Sequence, residues 1–195
     1  MIKGSEKRTA EHPVDELFLN RWSPRAMTGE PIEREELMAL FEAARWAPSS
    51  YNNQPWRILY ARRDSKHWAT FFGLLVEGNQ RWAKDAGALL VFISRTHFDF
   101  NDKPSVTHSF DTGAAWENLA LQGWVKGLVV HGMQGFDYER ARMELNIPEG
   151  FQVEAMAAIG KPADLSTLSD ALLAKEIPSD RRKLDKTICE GPFCF

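Results

Sequence analysis

The chain has 195 residues, of which 44% are hydrophobic and 26% are charged, and its formal net charge at pH 7 is -3. This length and balance are typical of one globular domain with a substantial core. The short basic run Arg181-Arg182-Lys183 is too small to indicate a nucleic-acid partner, and no apolar run is long enough to predict a membrane span. There is no apolar signal segment and there are only two cysteines, Cys189 and Cys194, so the sequence predicts a reduced, cytoplasmic protein without a metal site.

The N-terminal part of the chain contains a compact group of cations. We expect residues 1–12 to form a loose arm. Pro24 disfavours a helical conformation at Ser23, and in an extended segment Arg21, Ser23 and Arg25 point to the same side. Two guanidiniums with a hydroxyl between them suit a phosphate group, and a solvated basic turn is the alternative interpretation.

An uncharged polar loop between a helix and a strand is the most distinctive stretch of the sequence. The apolar spacing over 37–44 predicts a helix, and Pro48 ends it because the residue before a proline avoids the helical region. The alternating run 56–61 predicts a strand. The polar side chains between them are Ser49, Ser50, Asn52, Asn53 and Gln54. Hydroxyls and amides both donate and accept hydrogen bonds, which suits the edge of a neutral heterocycle, although a plain connection is the alternative.

The middle of the chain predicts one long helix, one buried strand and one long loop. Residues 67–84 have a helical pattern with a possible break at Gly78. The continuous apolar run 88–93 predicts a strand that is buried on both faces. Residues 96–109 have no periodicity and include His97 and His108, and long loops of this kind often form lids.

The remaining elements predict a mixed α+β domain. Asp111 is placed to begin a helix that runs to Lys126 and is apolar nearly all round, which indicates the centre of a core or a subunit interface. Strands are expected at 128–131 and 151–159, with a helix capped by Asp137 between them. Helices and strands alternate without a strict βαβ rhythm, so we expect a small mixed sheet flanked by helices.

Well-known catalytic motifs are absent from the sequence. It has no G-x-G-x-x-G, no G-x-x-x-x-G-K-[ST] and no G-x-S-x-G, and its five histidines include no i, i+4 pair. The histidines, the cysteines and the amides of Asn118 and Gln122 are therefore interpreted as structural or incidental.

Several motifs in order resemble the nitroreductase superfamily of FMN-dependent oxidoreductases. The similarity covers about residues 20–183. It rests on Arg21-x-Ser23-x-Arg25, on Pro48-Ser49-Ser50-x-Asn52-x-Gln54-Pro55-Trp56, on Asn79-Gln80-Arg81, on Asn118 with Gly127-Leu128, and on Gly135-Phe136-Asp137. Each motif alone is weak, and together they are specific.

The resemblance implies a cofactor and the residues that hold it. It implies FMN with its phosphate on Arg21, Ser23 and Arg181, with Arg182 or Lys183 as alternatives to Arg181. Arg25 would lie near the pyrimidine edge or the ribityl chain. The remaining residues implied at the cofactor are Pro48, Ser49, Ser50, Asn52, Gln54, Asn79, Met133, Gln134 and Gly135.

The resemblance also implies an architecture and a reaction. The fold would be nitroreductase-like, with a mainly antiparallel sheet in one domain. It would form an intertwined homodimer in which residues 184–195 extend onto the partner subunit. Hydride would pass from NAD(P)H to a nitroaromatic, a quinone or a related small electrophile by a ping-pong mechanism, with the chemistry carried by the flavin.

The chain departs from the family pattern at two cationic positions. Trp82 and Ser179 stand where classic members have lysines near the flavin and the phosphate. The choice between NADH and NADPH and the identity of the acceptor therefore stay open. Two alternatives also stay open: specialised flavin chemistry of the deiodinase or flavin-consuming kind, and a flavin-binding protein without turnover.

Overall fold

A computed structural model describes residues 2–195, and within that range it contains four β-strands and seven α-helices. The strands are β1 Trp56–Arg62, β2 Ala88–Arg95, β3 Val129–Met133 and β4 Phe151–Gly160. The helices are α1 Glu16–Asn20, α2 Arg34–Arg45, α3 Trp68–Gly73, α4 Glu77–Ala83, α5 His108–Val125, α6 Tyr138–Glu144 and α7 Asp170–Leu173. Short 3-10 turns lie at Gly4–Glu6, Ser50–Asn52, Leu165–Thr167 and Leu184–Lys186.

The four strands form one antiparallel sheet in the order β1-β2-β4-β3. The predicted buried strand is β2, at the centre, and its side chains alternate between two cores because successive residues of a strand face opposite sides. Leu89 and Val91 pack on one side with α3, α4 and α6. Leu90 and Phe92 pack on the other side with α2 and α5. This arrangement confirms the α+β prediction, and the sheet of the described residues is antiparallel throughout.

Helices α2 and α5 lie against each other on one face of the sheet. The α2 stripe is formed by Leu37, Leu40 and Ala44, which are all buried. The Asn118 side-chain amide donates to the carbonyl of Ala43 at 3.2 Å. Asn118 is therefore a partly buried structural amide that joins the two helices, in agreement with the structural interpretation from the sequence.

Two helix boundaries differ from the sequence prediction. The break in the 67–84 region falls at Val76, which is extended, and Gly78 lies inside α4. The Val76 N–H pairs with the carbonyl of Gly135, a distant partner that outweighs the local helical pattern. Helix α5 begins at His108 and not at Asp111, because the Asp111 carboxylate is used to hold the polar loop.

The ends of the chain also differ from the prediction. Part of the expected loose arm is packed: Gly4 and Arg8 are buried against the body of the protein. Cys189 and Cys194 are joined by a disulfide, so the prediction of a reduced protein is wrong at this pair. The intervening turn brings the two sulfurs together, with Gly191 at φ +93°, a conformation that favours glycine.

Within the described range, no helix has the length and apolarity needed to cross a bilayer.

Candidate functional site

A cavity of about 260 Å³ gathers the cationic side chains near the N-terminal segment. Arg21, Ser23 and Arg25 line it, and the intervening residues Trp22, Pro24 and Ala26 are buried, although Trp22 also borders the cavity. This is the shared face that an extended segment was predicted to present. The other residues that line this cationic cavity are Arg8, Trp22, His131, Lys175, Ile177, Ser179 and Arg181.

Acidic partners hold two of these guanidiniums in place. Glu117, on α5, lies 3.4 Å from Nε of Arg21. Glu176 is only 1% exposed, and one of its carboxylate oxygens accepts hydrogen bonds from the backbone N–H groups of Arg25 and Ala26. Its other oxygen lies 3.4 Å from the Arg25 guanidinium. The carboxylate of Glu176 therefore fixes both the backbone and the side chain of Arg25, a role that the sequence did not indicate.

His131 lies in the cationic cavity as a neutral side chain. Its Nδ1 is 2.8 Å from the carbonyl of Pro24, so Nδ1 carries the proton and donates it. Burial lowers the pKa of His131 from 6.5 to about 4, and the positive charge of Arg25 acts in the same direction. The ring also packs on Trp82, with 4.4 Å between the ring centroids. His131 thus adds no charge to the cavity near pH 7.

The polar loop has an unusual backbone. Tyr51, Asn52 and Gln54 have φ values of +52°, +53° and +48°, in the left-handed region that residues other than glycine seldom adopt. The backbone N–H of Gln54 donates to the Ser49 hydroxyl at 3.0 Å. The backbone N–H of Ser50 donates to the Asp111 carboxylate at 3.1 Å. Strained backbone held by specific contacts is characteristic of functional loops.

Asn53 ties the polar loop to the long loop that follows β2. Its side-chain oxygen accepts a hydrogen bond from the backbone N–H of Asp99 at 2.9 Å. Tyr51 packs edge-on against Phe98, and Phe100 completes an aromatic group. The two loops border a second cavity of about 460 Å³, which Asn52 and Gln54 also line.

A third cavity, of about 490 Å³, lies between the end of β3 and the start of α5. Met133 and Gln134 line it from the sheet side. On the helix side, Thr112 and Trp116 line it, and their side-chain polar atoms are buried without a hydrogen-bond partner among the described residues. Buried polar atoms without a partner are rare, and these two lie in a wall that is otherwise mostly apolar.

Glu154 forms the acidic part of the wall of the third cavity. Its carboxylate accepts hydrogen bonds from the hydroxyls of Ser94 and Ser109 and from the Gln152 amide. His108 Nδ1 lies 2.7 Å from the Ser94 hydroxyl. No local sequence pattern marks this cluster, because its members come from β2, α5 and β4.

Asn79 and Gly135 meet directly. The Asn79 side-chain amide donates to the Gly135 carbonyl at 3.0 Å. A Cβ at position 135 would lie 2.7 Å from Nδ2 of Asn79, so a larger residue there would displace the Asn79 amide. The hydrogen bond to Asn79 therefore fixes the position of the backbone next to Gln134 relative to α4.

The predicted site residues thus fall into distinct groups within one chain. Arg21, Ser23, Arg25 and Arg181 line the cationic cavity, and Arg182 and Lys183 are not among its lining residues. The residues at the second cavity share no member with those at the cationic cavity. The described residues contain no group of three His, Cys, Asp or Glu side chains arranged to hold a metal ion.

The described residues thus form an α+β protein with a helix-covered antiparallel sheet, a cationic cavity and uncharged polar loops. The chain belongs to the nitroreductase family, whose model matches residues 19–72 and 61–161. It is 28% identical over 180 residues to an NADH dehydrogenase of Thermus thermophilus, a match that covers 75% of this chain and 85% of the other.

Solved structures agree with this assignment. An oxidoreductase containing FMN is 49% identical, with a TM-score of 0.94 and 99% of each chain covered. A protein from Desulfovibrio desulfuricans in complex with FMN is 25% identical, with a TM-score of 0.72 and coverage of 95% of this chain and 100% of the other. The fold of this chain is therefore the nitroreductase fold.

Proposed function

We propose that the chain is an FMN-dependent oxidoreductase that takes hydride from NADH or NADPH and reduces a small electrophile such as a nitroaromatic or a quinone. The observation that carries the proposal is the cationic cavity. Arg21, Arg25 and Arg181 line it beside the Ser23 hydroxyl, and Arg8 and Lys175 add two further cations. A phosphate dianion is the ligand whose charge and oxygen atoms match this set.

Buried polar atoms that lack a hydrogen-bond partner support the fit of FMN to these cavities. Nε of Arg21 is buried without a hydrogen bond among the described residues, although Glu117 lies 3.4 Å away. A phosphate oxygen would provide the acceptor that this N–H lacks. Thr112 and Trp116 likewise offer unpaired polar atoms at the third cavity.

The proposed division of labour leaves the redox chemistry to the cofactor. When bound, the flavin supplies the hydride acceptor and donor. In the proposal, the guanidiniums of the cationic cavity hold the phosphate, and the backbone at Gln134 and Gly135 is positioned beside the ring. The uncharged loop 49–54 hydrogen-bonds to the ring system. The nicotinamide nucleotide and the electrophile would bind in turn over the same open face of the flavin ring, which predicts ping-pong kinetics.

We also propose that the active form is a homodimer. Loop 49–54 and the cationic cavity share no lining residue, so a loop from a second copy could complete the site. Apolar side chains near this loop and near the start of α5 are exposed, including Tyr51 at 81%, Val106 at 93% and Phe110 at 80%. The exposed segment 184–195 would extend onto the partner. Sedimentation velocity should give about twice the chain mass of 22.2 kDa, and a monomer would contradict the dimer.

The anaerobic reduction of the purified holoprotein tests the proposed activity. Titration with NADPH and then NADH should bleach the visible bands of the oxidised flavin, and addition of a quinone should restore them. Bound flavin that neither nucleotide bleaches would contradict the proposed electron donor and favour specialised flavin chemistry or a non-catalytic binding role. A protein that takes up no FMN would overturn the proposal as a whole.

A further inference from the structure

Arg8 is a buried guanidinium at the meeting point of three segments. It is 8% exposed. Its Nη1 donates to the carbonyls of Leu19 and Arg21, both at 2.8 Å, and its Nε donates to the carbonyl of Ser179 at 2.7 Å. The side chain therefore connects the N-terminal arm, the segment that leads into the cationic cavity and the C-terminal segment.

The hydrogen bonds of Arg8 leave part of its donor capacity free. A guanidinium has five N–H groups, and three of them serve the three carbonyls. The two N–H groups of Nη2 have no hydrogen-bond acceptor among residues 2–195, and Arg8 is one of the residues that line the cationic cavity. Arg8 therefore has two free N–H donors and lies in the wall of the cavity that is proposed to bind the phosphate.

The surroundings of Arg8 compensate its charge only in part. Its three hydrogen-bond acceptors are neutral carbonyls, whereas Arg21 and Arg25 each lie within 3.4 Å of a carboxylate. Burial lowers the pKa of Arg8, and the nearby charges of Arg181 and Arg21 lower it further, while Asp180 acts in the opposite direction. A buried cation beside other cations is costly until an anion joins them.

We propose that Arg8 binds the FMN phosphate directly and that phosphate binding fastens the N-terminal arm to the body of the protein. The inference rests on the proposed function, because it takes the cationic cavity as the phosphate site. It adds a ligand from a segment outside the family motifs, and it adds a contact that would hold the already packed residues 3–8 more firmly when the phosphate is bound.

The test compares FMN with riboflavin, which has the same ring and ribityl chain but no phosphate. Apo-protein is titrated with each flavin, and the affinity is followed by quenching of flavin fluorescence in the wild type and in the variants Arg8→Gln, Arg8→Lys and Lys7→Gln. Lys7 is an exposed neighbour in the same arm and is not among the residues that line the cavity, so Lys7→Gln is the matched control.

We expect Arg8→Gln to weaken FMN binding by about 10- to 100-fold and to change riboflavin binding by less than about 2-fold. Arg8→Lys keeps the charge with fewer donors and should lose less, and Lys7→Gln should change neither affinity. Equal losses for both flavins in Arg8→Gln, or no loss, would overturn the role of Arg8. A wild type that does not prefer FMN to riboflavin would overturn the phosphate site itself, and with it the inference.

Hydrogen exchange of residues 3–8 provides a second readout that does not use affinity. FMN at saturation should slow exchange in this segment of the wild type more than riboflavin does. In Arg8→Gln the two flavins should give the same protection. If FMN and riboflavin already protect the wild-type arm equally, the proposed link between phosphate and arm is wrong.

Discussion

The carboxylate of Asp111, buried inside α5, accepts a hydrogen bond from the backbone N–H of Ser50 at 3.1 Å. The same oxygen accepts the Thr107 hydroxyl at 3.2 Å. One acidic side chain thus connects the long helix to the polar loop in which Tyr51, Asn52 and Gln54 have positive φ. Because such a backbone costs energy, the loop depends on contacts of this kind to keep its shape.

We therefore expect Asp111→Ala to loosen loop 49–54. Removing the acceptor should lower the free energy of unfolding by about 1–3 kcal/mol. It should also speed amide exchange at Ser50 more than in the strands of the sheet. Urea unfolding and hydrogen exchange measure the two effects, with the exposed Glu139→Ala on α6 as control. A variant with unchanged exchange in the loop would show that Asp111 does not hold it.

The C-terminal cations give a matched pair of variants. Arg181 lines the cationic cavity, while its neighbour Arg182 is exposed and is not among the lining residues. Arg181→Ala should weaken FMN binding by about 1.5–3 kcal/mol, the value of a charged hydrogen bond, and Arg21→Ala should do the same. Arg182→Ala should have little effect. An equal loss of FMN affinity in Arg181→Ala and Arg182→Ala would mean that both cations act only through long-range electrostatic attraction. Arg181 would then make no specific contact with the phosphate.

We predict that Glu176 contributes both to the stability of the fold and to FMN binding. Its carboxylate holds the backbone and the guanidinium of Arg25 from 151 residues away along the chain. Glu176→Gln should destabilise the protein by about 1–3 kcal/mol, because buried N–H groups lose a charged acceptor. It should also weaken FMN binding by displacing Arg25. Denaturant unfolding and FMN titration test both effects, with the exposed Glu190→Gln as control, and a stable variant with normal FMN affinity would contradict the coupling.

Local signals explain which parts of the site could be predicted from the sequence. Pro24 fixes an extended segment and Pro48 ends a helix, so the face of Arg21, Ser23 and Arg25 and the bounds of the polar loop follow from neighbouring residues. The buried strand β2 follows from its apolar composition.

Long-range contacts explain the rest. Arg8 meets Ser179 across 171 residues, and no local pattern marks either residue as a partner of the other. Ser179 stands where the family pattern has a lysine, and Arg8 brings a guanidinium to its carbonyl. The break at Val76 likewise depends on Gly135, whose pairing cannot be seen in a helical period.

His131 predicts a pH dependence of stability in the apo-protein. Folding lowers its pKa from 6.5 to about 4, so between these values the unfolded chain binds a proton that the folded chain does not. The free energy of unfolding should therefore fall as the pH is lowered from about 6.5 to about 4, by up to about 3 kcal/mol from this group. His131→Asn should remove this component from urea unfolding measured across the range, whereas the exposed His12→Asn should not. Identical slopes in wild type and His131→Asn would contradict the assignment.

Glu154 predicts a charge preference among acceptors. Its carboxylate lines the third cavity beside Met133 and Gln134, at the place proposed for the ring and its open face. An anionic acceptor would meet this negative charge, whereas a neutral or cationic one would not. Glu154→Gln should therefore raise kcat/KM for an anionic nitrobenzoate by about 5- to 10-fold relative to a neutral nitrobenzene, through a change in KM.

The control for Glu154 separates substrate charge from damage to the cluster. The carboxylate also accepts hydrogen bonds from Ser94 and Ser109, so a glutamine could disturb the local packing. Ser109→Ala removes one of these bonds and leaves the charge in place. It should lower the stability slightly and keep the wild-type ratio between the two nitro compounds. If Ser109→Ala shifts that ratio as much as Glu154→Gln, the preference comes from the shape of the cavity wall and not from its charge.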